Sequence, residues 1–275
     1  MDRRKLLKYL SIGVAGTSLT AAVQSLVSAS GGGGAAWGYT GSLGPSNWGS
    51  LDPAYAVCGT GTRQSPIALT NPIGVDFEDD FTINYNSFSP TIRDTGKTIQ
   101  VDCPPGSTLT LDGKTFNLIQ FHFHAPSEHT IDNQVTEMEV HLVHQRTDAN
   151  GNVELAVIGR LMEVGSSGTN SEMAKILNNL PASGGTTSPS VTINPKKFLP
   201  QDGLIGSLLP LLATPPKYYR YSGSLTTPPC SEIVNWLVYK DTMRITSGQF
   251  ANFTNLYSNN SRPVQERNGR LVLKD

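Results

Sequence analysis

Gln120-Phe121-His122-Phe123-His124 and Glu139-Val140-His141-Leu142-Val143-His144 are the two stretches whose reading decides the fold. Both alternate in the manner of strands, where residues two apart share a face. Gln120, His122 and His124 therefore project from one face, and Phe121 and Phe123 from the other, toward a core. On the second strand Glu139, His141 and Val143 share a face, and His144 points the opposite way. If the two strands are neighbours, three imidazoles converge on one point. The chain holds only five histidines among 275 residues. The fifth, His129, follows Glu128 in the connection between the strands.

The sequence around them is also strand-rich. Alternating or continuously apolar runs at 98–101, 109–113, 116–124, 137–145, 154–164, 234–239 and 271–273 predict strands. Helical spacing predicts helices over 171–180, which stops before Pro181, and over 246–257, where Phe250, Phe253 and Leu256 recur. Gly (27) and Pro (18) are plentiful and charged residues make up 16%, as in a turn-rich, mainly β protein. With a formal net charge of -1, neither nucleic acid nor an anionic membrane is an obvious partner. No apolar run reaches the ~18 residues of a membrane span.

Three neutral imidazoles that leave a further position open are how catalytic zinc is held. Gln120 and Glu139 are placed to accept the outer N–H of a ligand histidine, which fixes its tautomer. His-x-His alone is as readily a pair of ordinary histidines. With His141 on a compatible face and two acceptors beside it, zinc is the favoured reading, with His122, His124 and His141 as ligands. His144 and His129 read as structural, His129 as a buried, hydrogen-bonded residue.

The N-terminus reads as an export signal over 1–29. Arg3-Arg4-Lys5-Leu6-Leu7-Lys8 precedes a mild apolar stretch, and Val27-Ser28-Ala29 supplies small residues for cleavage. The paired arginines resemble a twin-arginine signal, and the bland alternative is an ordinary secretory signal. A Gly-rich tether at 30–36 leads into one domain, 37–275. The expected location is the periplasm or the outside of the cell. There one disulfide is expected among Cys58, Cys103 and Cys230, with one thiol left over. The spacing does not say which pair forms.

At this point several motifs together resemble the α-class carbonic anhydrases. They are Gln120-Phe-His-Phe-His124, Ser127-Glu-His-Thr130, Glu139-Val-His-Leu-Val-His144 and Ser224-Leu-Thr-Thr-Pro-Pro229. Trp37-Gly-Tyr39, Gly44-Pro-Ser-Asn-Trp48, Gln64-Ser-Pro66, Leu155-Ala-Val157, Trp236 and Asn260-Ser-Arg-Pro-Val-Gln265 add to them, in order along residues 37–275. The resemblance implies an α+β roll around a twisted, mostly antiparallel sheet of about ten strands with short peripheral helices. It implies Zn2+ as cofactor and reversible hydration of CO2 to bicarbonate and a proton, by attack of zinc-bound hydroxide. The alternative is a weak or inactive carbonic-anhydrase-like binding module. Sulfonamides and anions are the implied inhibitors, and a monomer or weak homodimer the implied state.

Position by position, the resemblance makes Thr226 the hydroxyl that receives from the bound species and donates to Glu128. Thr227 stands beside the substrate. Val143, Val157, Leu225, Val234 and Trp236 form the apolar wall for CO2; without the resemblance they read as plain core. Cys58 and Cys230 match the disulfide of exported members, closing a loop worth roughly 5 kcal/mol in the chain-entropy model. Pro66 and Pro229 match cis prolines. Lys97 stands where many relatives carry a proton-ferrying histidine. Histidine titrates near ~6.5 and lysine near ~10.4, so lysine releases protons slowly at neutral pH. Lys97 is either a poor shuttle or a solvated loop residue, and either way turnover should be limited by proton transfer.

The export reading has a direct test. Changing Arg3 and Arg4 together to Lys is expected to stop translocation, assayed by cell fractionation; unchanged export would remove the twin-arginine reading.

Overall fold

A computed structural model describes residues 34–75, 81–166, 168–200 and 217–275. The expected export signal, with Arg3 and Arg4, and most of the expected tether lie outside the described residues. The strands described are β1 (Ala68–Leu69), β2 (Ile73–Gly74), β3 (Phe81–Asn84), β4 (Thr91–Asp94), β5 (Ile99–Asp102), β6 (Thr108–Leu111), β7 (Lys114–His124), β8 (Thr130–Ile131), β9 (Met138–Thr147), β10 (Val153–Val164), β11 (Thr186–Thr187), β12 (Tyr218–Gly223), β13 (Val234–Ile245) and β14 (Leu273–Lys274). The helices are α1 (Trp48–Leu51), α2 (Val57–Thr60), α3 (Ser171–Leu177) and α4 (Ser247–Thr254).

Twelve strands form one sheet, in the order β11-β4-β5-β7-β9-β10-β13-β12-β14-β2, with β6 and β3 joined alongside β7. The ten-strand path is what the motifs implied; β3 and β6 are the addition. The pairing is antiparallel except for β10 with β13 and β14 with β2. The four long strands β7, β9, β10 and β13 lie at the centre. Both faces of this centre are covered, so β10 is apolar along most of its length instead of alternating. Val140, Leu142, Ala156 and Ile158 pack with Phe121 and Phe123 on one side. Val143, Leu155, Val157, Val234 and Trp236 pack on the other.

Strand β7 departs from simple alternation. Its register against β9 shifts between Leu118 and Gln120, leaving Ile119 as the extra residue of a bulge. Before the bulge the even-numbered Phe116 and Leu118 face the main core; after it the odd-numbered Phe121 and Phe123 do. The extra residue thus turns His122 and His124 away from the phenylalanine core and onto the side of the second cluster.

Both long helices are capped where the sequence expects a start. Asn170 Oδ1 accepts the Met173 N–H at 2.9 Å, and Thr246 with Gln249 makes a reciprocal capping box. Each ends about a turn earlier than the apolar spacing suggests, at Leu177 and Thr254. Cys58 and Cys230 form the disulfide, and Cys103 is the remaining thiol, half-buried and pushed up by burial and by Asp102. The peptides before Pro66 and Pro229 are cis, as is that before Pro126, which the sequence did not announce.

His144 is a core residue, as its outward phase on β9 requires. Its Nδ1 donates to the Ala156 carbonyl at 3.0 Å, and its Nε2 accepts from the Tyr85 hydroxyl at 2.6 Å. Burial pushes its pKa down to about 4, against the carbonyls that favour the charged form. The unfolded chain, titrating near ~6.5, therefore binds more protons than the folded one between these values. The His144 contribution, up to about 3 kcal/mol, is complete above pH ~6.5 and is lost as pH falls toward 4. Urea unfolding across pH 4–7 should show this slope together with that of the other buried histidines, and His144→Gln should reduce it by the His144 share. An equal slope in the variant would contradict the assignment.

Candidate metal centre

His122 and His141 are direct cross-strand partners, and His124 stands opposite Glu139. This register places the ligand nitrogens of His122, His124 and His141 all within 4.8 Å of one another. Each ring has one nitrogen tied outward. His122 Nδ1 donates to Gln120 Oε1 at 2.8 Å, His124 Nδ1 to the Asn260 carbonyl at 2.7 Å, and His141 Nε2 to Glu139 Oε1 at 2.8 Å. These acceptors fix the tautomers and leave the lone pairs of His122 Nε2, His124 Nε2 and His141 Nδ1 to face inward. His124 Nε2 is buried with no hydrogen-bond partner. An orphaned imidazole nitrogen beside two others is what a metal ion would satisfy.

Electrostatics keep the cradle neutral. Burial, and then mutual repulsion with the other two rings, lowers the His122 pKa well below its ordinary value. Burial pushes His124 down to about 4 and also lowers His141, against the pull of Glu139. All three are thus ready to coordinate at neutral pH without first losing a proton.

Glu139 organises the surroundings. Burial alone would raise its pKa, but the His129 and His141 rings that face it and donate to it outweigh this and hold it well below the carboxylate range. Oε1 accepts from His141 and from His129 Nδ1 at 2.7 Å. Oε2 accepts the backbone N–H groups of Glu128 and His129 at 2.9 and 2.8 Å. His129 is the hydrogen-bonded histidine the sequence led us to expect; its Nε2 meets the Tyr221 hydroxyl at 2.6 Å.

Beside the histidines, Glu128 is fully buried. Its Oε1 accepts the Arg262 N–H at 2.8 Å, and its Oε2 has no hydrogen bond of ordinary length. Burial pushes its carboxyl up to about 7, partly offset by His141, Arg262 and the nearby Thr226 hydroxyl. Thr226 and Thr227 lie on the loop that follows β12 and line a cavity together with the three histidines. Val143, Leu155, Val157, Leu225 and Trp236 give that cavity an apolar side; Thr98, Gln100 and Gln120 give it polar groups. Val234 is not part of the lining. It is buried in the same cluster, packed behind the wall.

Lys97 is half-buried on the cavity lining, with Nζ 5.4 Å from the centre of the Trp37 ring. Its carbonyl accepts Asn260 Nδ2 at 2.9 Å. So Lys97 is held against an aromatic face and is not a freely solvated loop lysine.

Sequence reasoning passed over Asn260, whose carbonyl orients His124, and Gly159, whose role is spatial. Gly159 pairs with His141 across the sheet, and a Cβ there would lie 2.9 Å from Glu139 Oε1. Neither residue type signals this; only the contact does.

The fold and site together describe a β-sheet protein with a three-histidine cradle on the floor of a half-apolar cavity. A family model for eukaryotic-type carbonic anhydrases matches residues 43–275. A carbonic anhydrase from Nostoc sp. is 36% identical over 278 residues, covering 99% of this chain and 97% of that protein. A hyperthermostable carbonic anhydrase from a hydrothermal vent chimney aligns with a TM-score of 0.77 and 40% identity, covering 87% of this chain and 99% of the other. The α-carbonic anhydrase of Thermovibrio ammonificans, solved with the inhibitor sulfanilamide, aligns with a TM-score of 0.76 and 38% identity, over 88% and 100% of the two chains. The chain belongs to the eukaryotic-type, or α, carbonic anhydrase family.

Gly159→Ala should displace the Glu139 carboxylate from His141. Zn2+ affinity, measured by competition with a chelator, is expected to fall by about 10–100-fold. Unchanged affinity in a folded variant would show that the Glu139 contact does not govern the site.

Proposed function

We propose that this carbonic anhydrase catalyses the reversible hydration of CO2 to bicarbonate and a proton, with Zn2+ held by His122, His124 and His141. The observation that carries the proposal is the set of three inward lone pairs with fixed tautomers, one of them buried without any other partner. Bound there, Zn2+ supplies Lewis acidity that lowers the pKa of a water ligand from 15.7 to about 7, a shift for which carbonic anhydrase is the standard instance.

The protein's own groups divide the remaining work. Val143, Val157, Leu225 and Trp236 offer CO2, an uncharged molecule, a surface that water solvates poorly, with Val234 backing it. Thr226 has one hydroxyl proton. Donating it to Glu128 leaves the Thr226 oxygen as an acceptor toward the cavity, so the loop favours a protonated group in front of it and orients that group's lone pair. Thr227 lines the same side. Gln120, Glu139 and the Asn260 carbonyl hold the ligand histidines in register. The apolar side also suits the aryl ring of a sulfonamide such as the one bound by the Thermovibrio ammonificans relative.

Proton removal is the weak step. All five histidines lie within 122–144, and the rim carries Lys97 pinned on Trp37 instead of an imidazole. The inactive binding-module reading is disfavoured because the ligand triad, its three acceptors and the Thr226–Glu128 neighbourhood are all retained.

Stopped-flow CO2 hydration on protein of measured zinc content tests both points. Activity should track zinc, vanish with chelator or sulfonamide, and show a kcat that rises with imidazole concentration while kcat/KM stays constant. Full zinc occupancy without turnover would favour the binding module. A kcat indifferent to buffer would refute the proton-transfer limit.

A further inference from the structure

The loop Ser224–Cys230 carries Thr226 and Thr227, and both its ends are held by one dipeptide far away in the chain. At the start, the Ser65 N–H donates to Ser224 Oγ at 2.9 Å and the Ser224 N–H donates to Ser65 Oγ at 3.0 Å. At the end, Gln64 Nε2 donates to the Cys230 carbonyl at 3.1 Å. Cys230 has φ 58°, a left-handed backbone that a Cβ disfavours, so that end of the loop needs support from outside.

The Gln64 amide is 4% exposed and has a single permitted orientation. Its second N–H donates to Glu232 Oε1 at 2.9 Å, and its Oε1 accepts Arg262 Nη1 at 2.9 Å. Turning it over would set its oxygen against a carbonyl and a carboxylate, and its N–H groups against a guanidinium. Arg262, 2% exposed, also donates to the Ser65 and Cys58 carbonyls at 2.8 and 2.9 Å. The backbone N–H of the same Arg262 holds Glu128 Oε1. Gly61 leaves the room this requires: a Cβ there would lie 2.4 Å from both Gln64 Nε2 and Glu232 Oε1 and 2.7 Å from the Val57 carbonyl.

We propose that Gln64 and Arg262 form a brace that sets the position of the Thr226 loop relative to Glu128, making both of them positioning residues for the reaction. This rests on the roles of Thr226 and Glu128 given above. Gln64 reaches the loop, Arg262 reaches the carboxylate, and the bond between their side chains closes the span. The disulfide reinforces the loop end that Gln64 grips, and Arg262 ties down the other half-cystine.

The test uses the zinc-loaded, disulfide-intact protein and three variants. Gln64→Met keeps the side chain's length and removes its polar groups. Arg262→Lys keeps the charge and removes the fork. Gly61→Ala keeps every polar group and displaces the Gln64 amide. Two quantities are read: hydrogen exchange of the Leu225 and Cys230 amides, which bond to the carbonyls of Ser231, just past the loop, and Thr227, and kcat/KM per bound zinc.

Gln64→Met and Arg262→Lys should each raise exchange of these two amides selectively, leaving β9 and β10 as in the wild type. Each should lower kcat/KM by about ten- to a hundredfold at unchanged zinc content, because misplacement by an ångström costs that much. Gly61→Ala should give the same pattern and serves if either of the other variants does not fold. A fall in melting temperature with kcat/KM per zinc unchanged, or exchange rising through the whole sheet, would reduce the brace to a structural support and overturn the proposal. If the wild type itself is inactive at full zinc, the functional reading fails, and loop-selective exchange alone decides whether the brace exists.

Discussion

A carboxylate buried with four donors around it is the constraint on which the centre of this protein depends. Glu139 has no exposure to water, and an uncompensated charge there would be costly. It is affordable because two histidine rings and two backbone N–H groups converge on its two oxygens. Those four contacts fix the connection between β7 and β9, the ring of His141 and the ring of His129. A single charge thereby links the cradle to the segment carrying Glu128, and through His129 and Tyr221 to Ser65 and the Thr226 loop. Each oxygen of this one carboxylate accepts two donors, so hydrogen bonds as well as apolar packing hold the centre together.

The second constraint is phase. Side chains alternate across a strand, so one residue too many or too few would turn the histidines into the phenylalanine core. The bulge at Ile119 lets the same strand contribute Phe116 and Leu118 to that core before it and Phe121 and Phe123 after it. Gln100, His122, His141 and Gly159 then stand in one row across β5, β7, β9 and β10. The row alternates function with clearance. Gly159 has no side chain because Glu139 occupies the space, and the Gly159 backbone is what β9 needs as a neighbour.

The cavity combines these two effects. Its apolar side is one edge of the second core cluster, where Val143, Leu155, Val157 and Trp236 meet the cavity beside Leu225 of the loop after β12. Its polar side is the histidine cradle with its acceptors. Among the described residues, Lys97 is the one Lys or Arg on the lining; it is held by Trp37 from the N-terminal segment, which is pinned in turn by the Ala35 N–H on Asp52 and the Tyr55 hydroxyl on the Ala35 carbonyl. The rim is therefore assembled from parts distant in sequence.

Much of this was legible in the sequence because it follows from local periodicity. Period-two alternation placed His122, His124 and His141 on shared faces, sent His144 the other way and marked Gln120 and Glu139 as the acceptors beside them. Helical spacing marked the two longer helices, though not their caps, and motif resemblance supplied the Cys58–Cys230 pair and the fold. What the sequence alone did not determine depends on residues brought together from far apart. Asn260 orients His124 through its backbone carbonyl, which any residue type possesses. Gly159 acts by the side chain it lacks. Val234 lies behind the cavity wall and not in it, a matter of depth that alternation does not encode. Gln64 and Arg262 meet across a separation of 198 residues, and their hydrogen bonds exist only once the sheet has formed. Alternation in the sequence chose the faces; the tertiary structure chose which groups on those faces are near enough to act together.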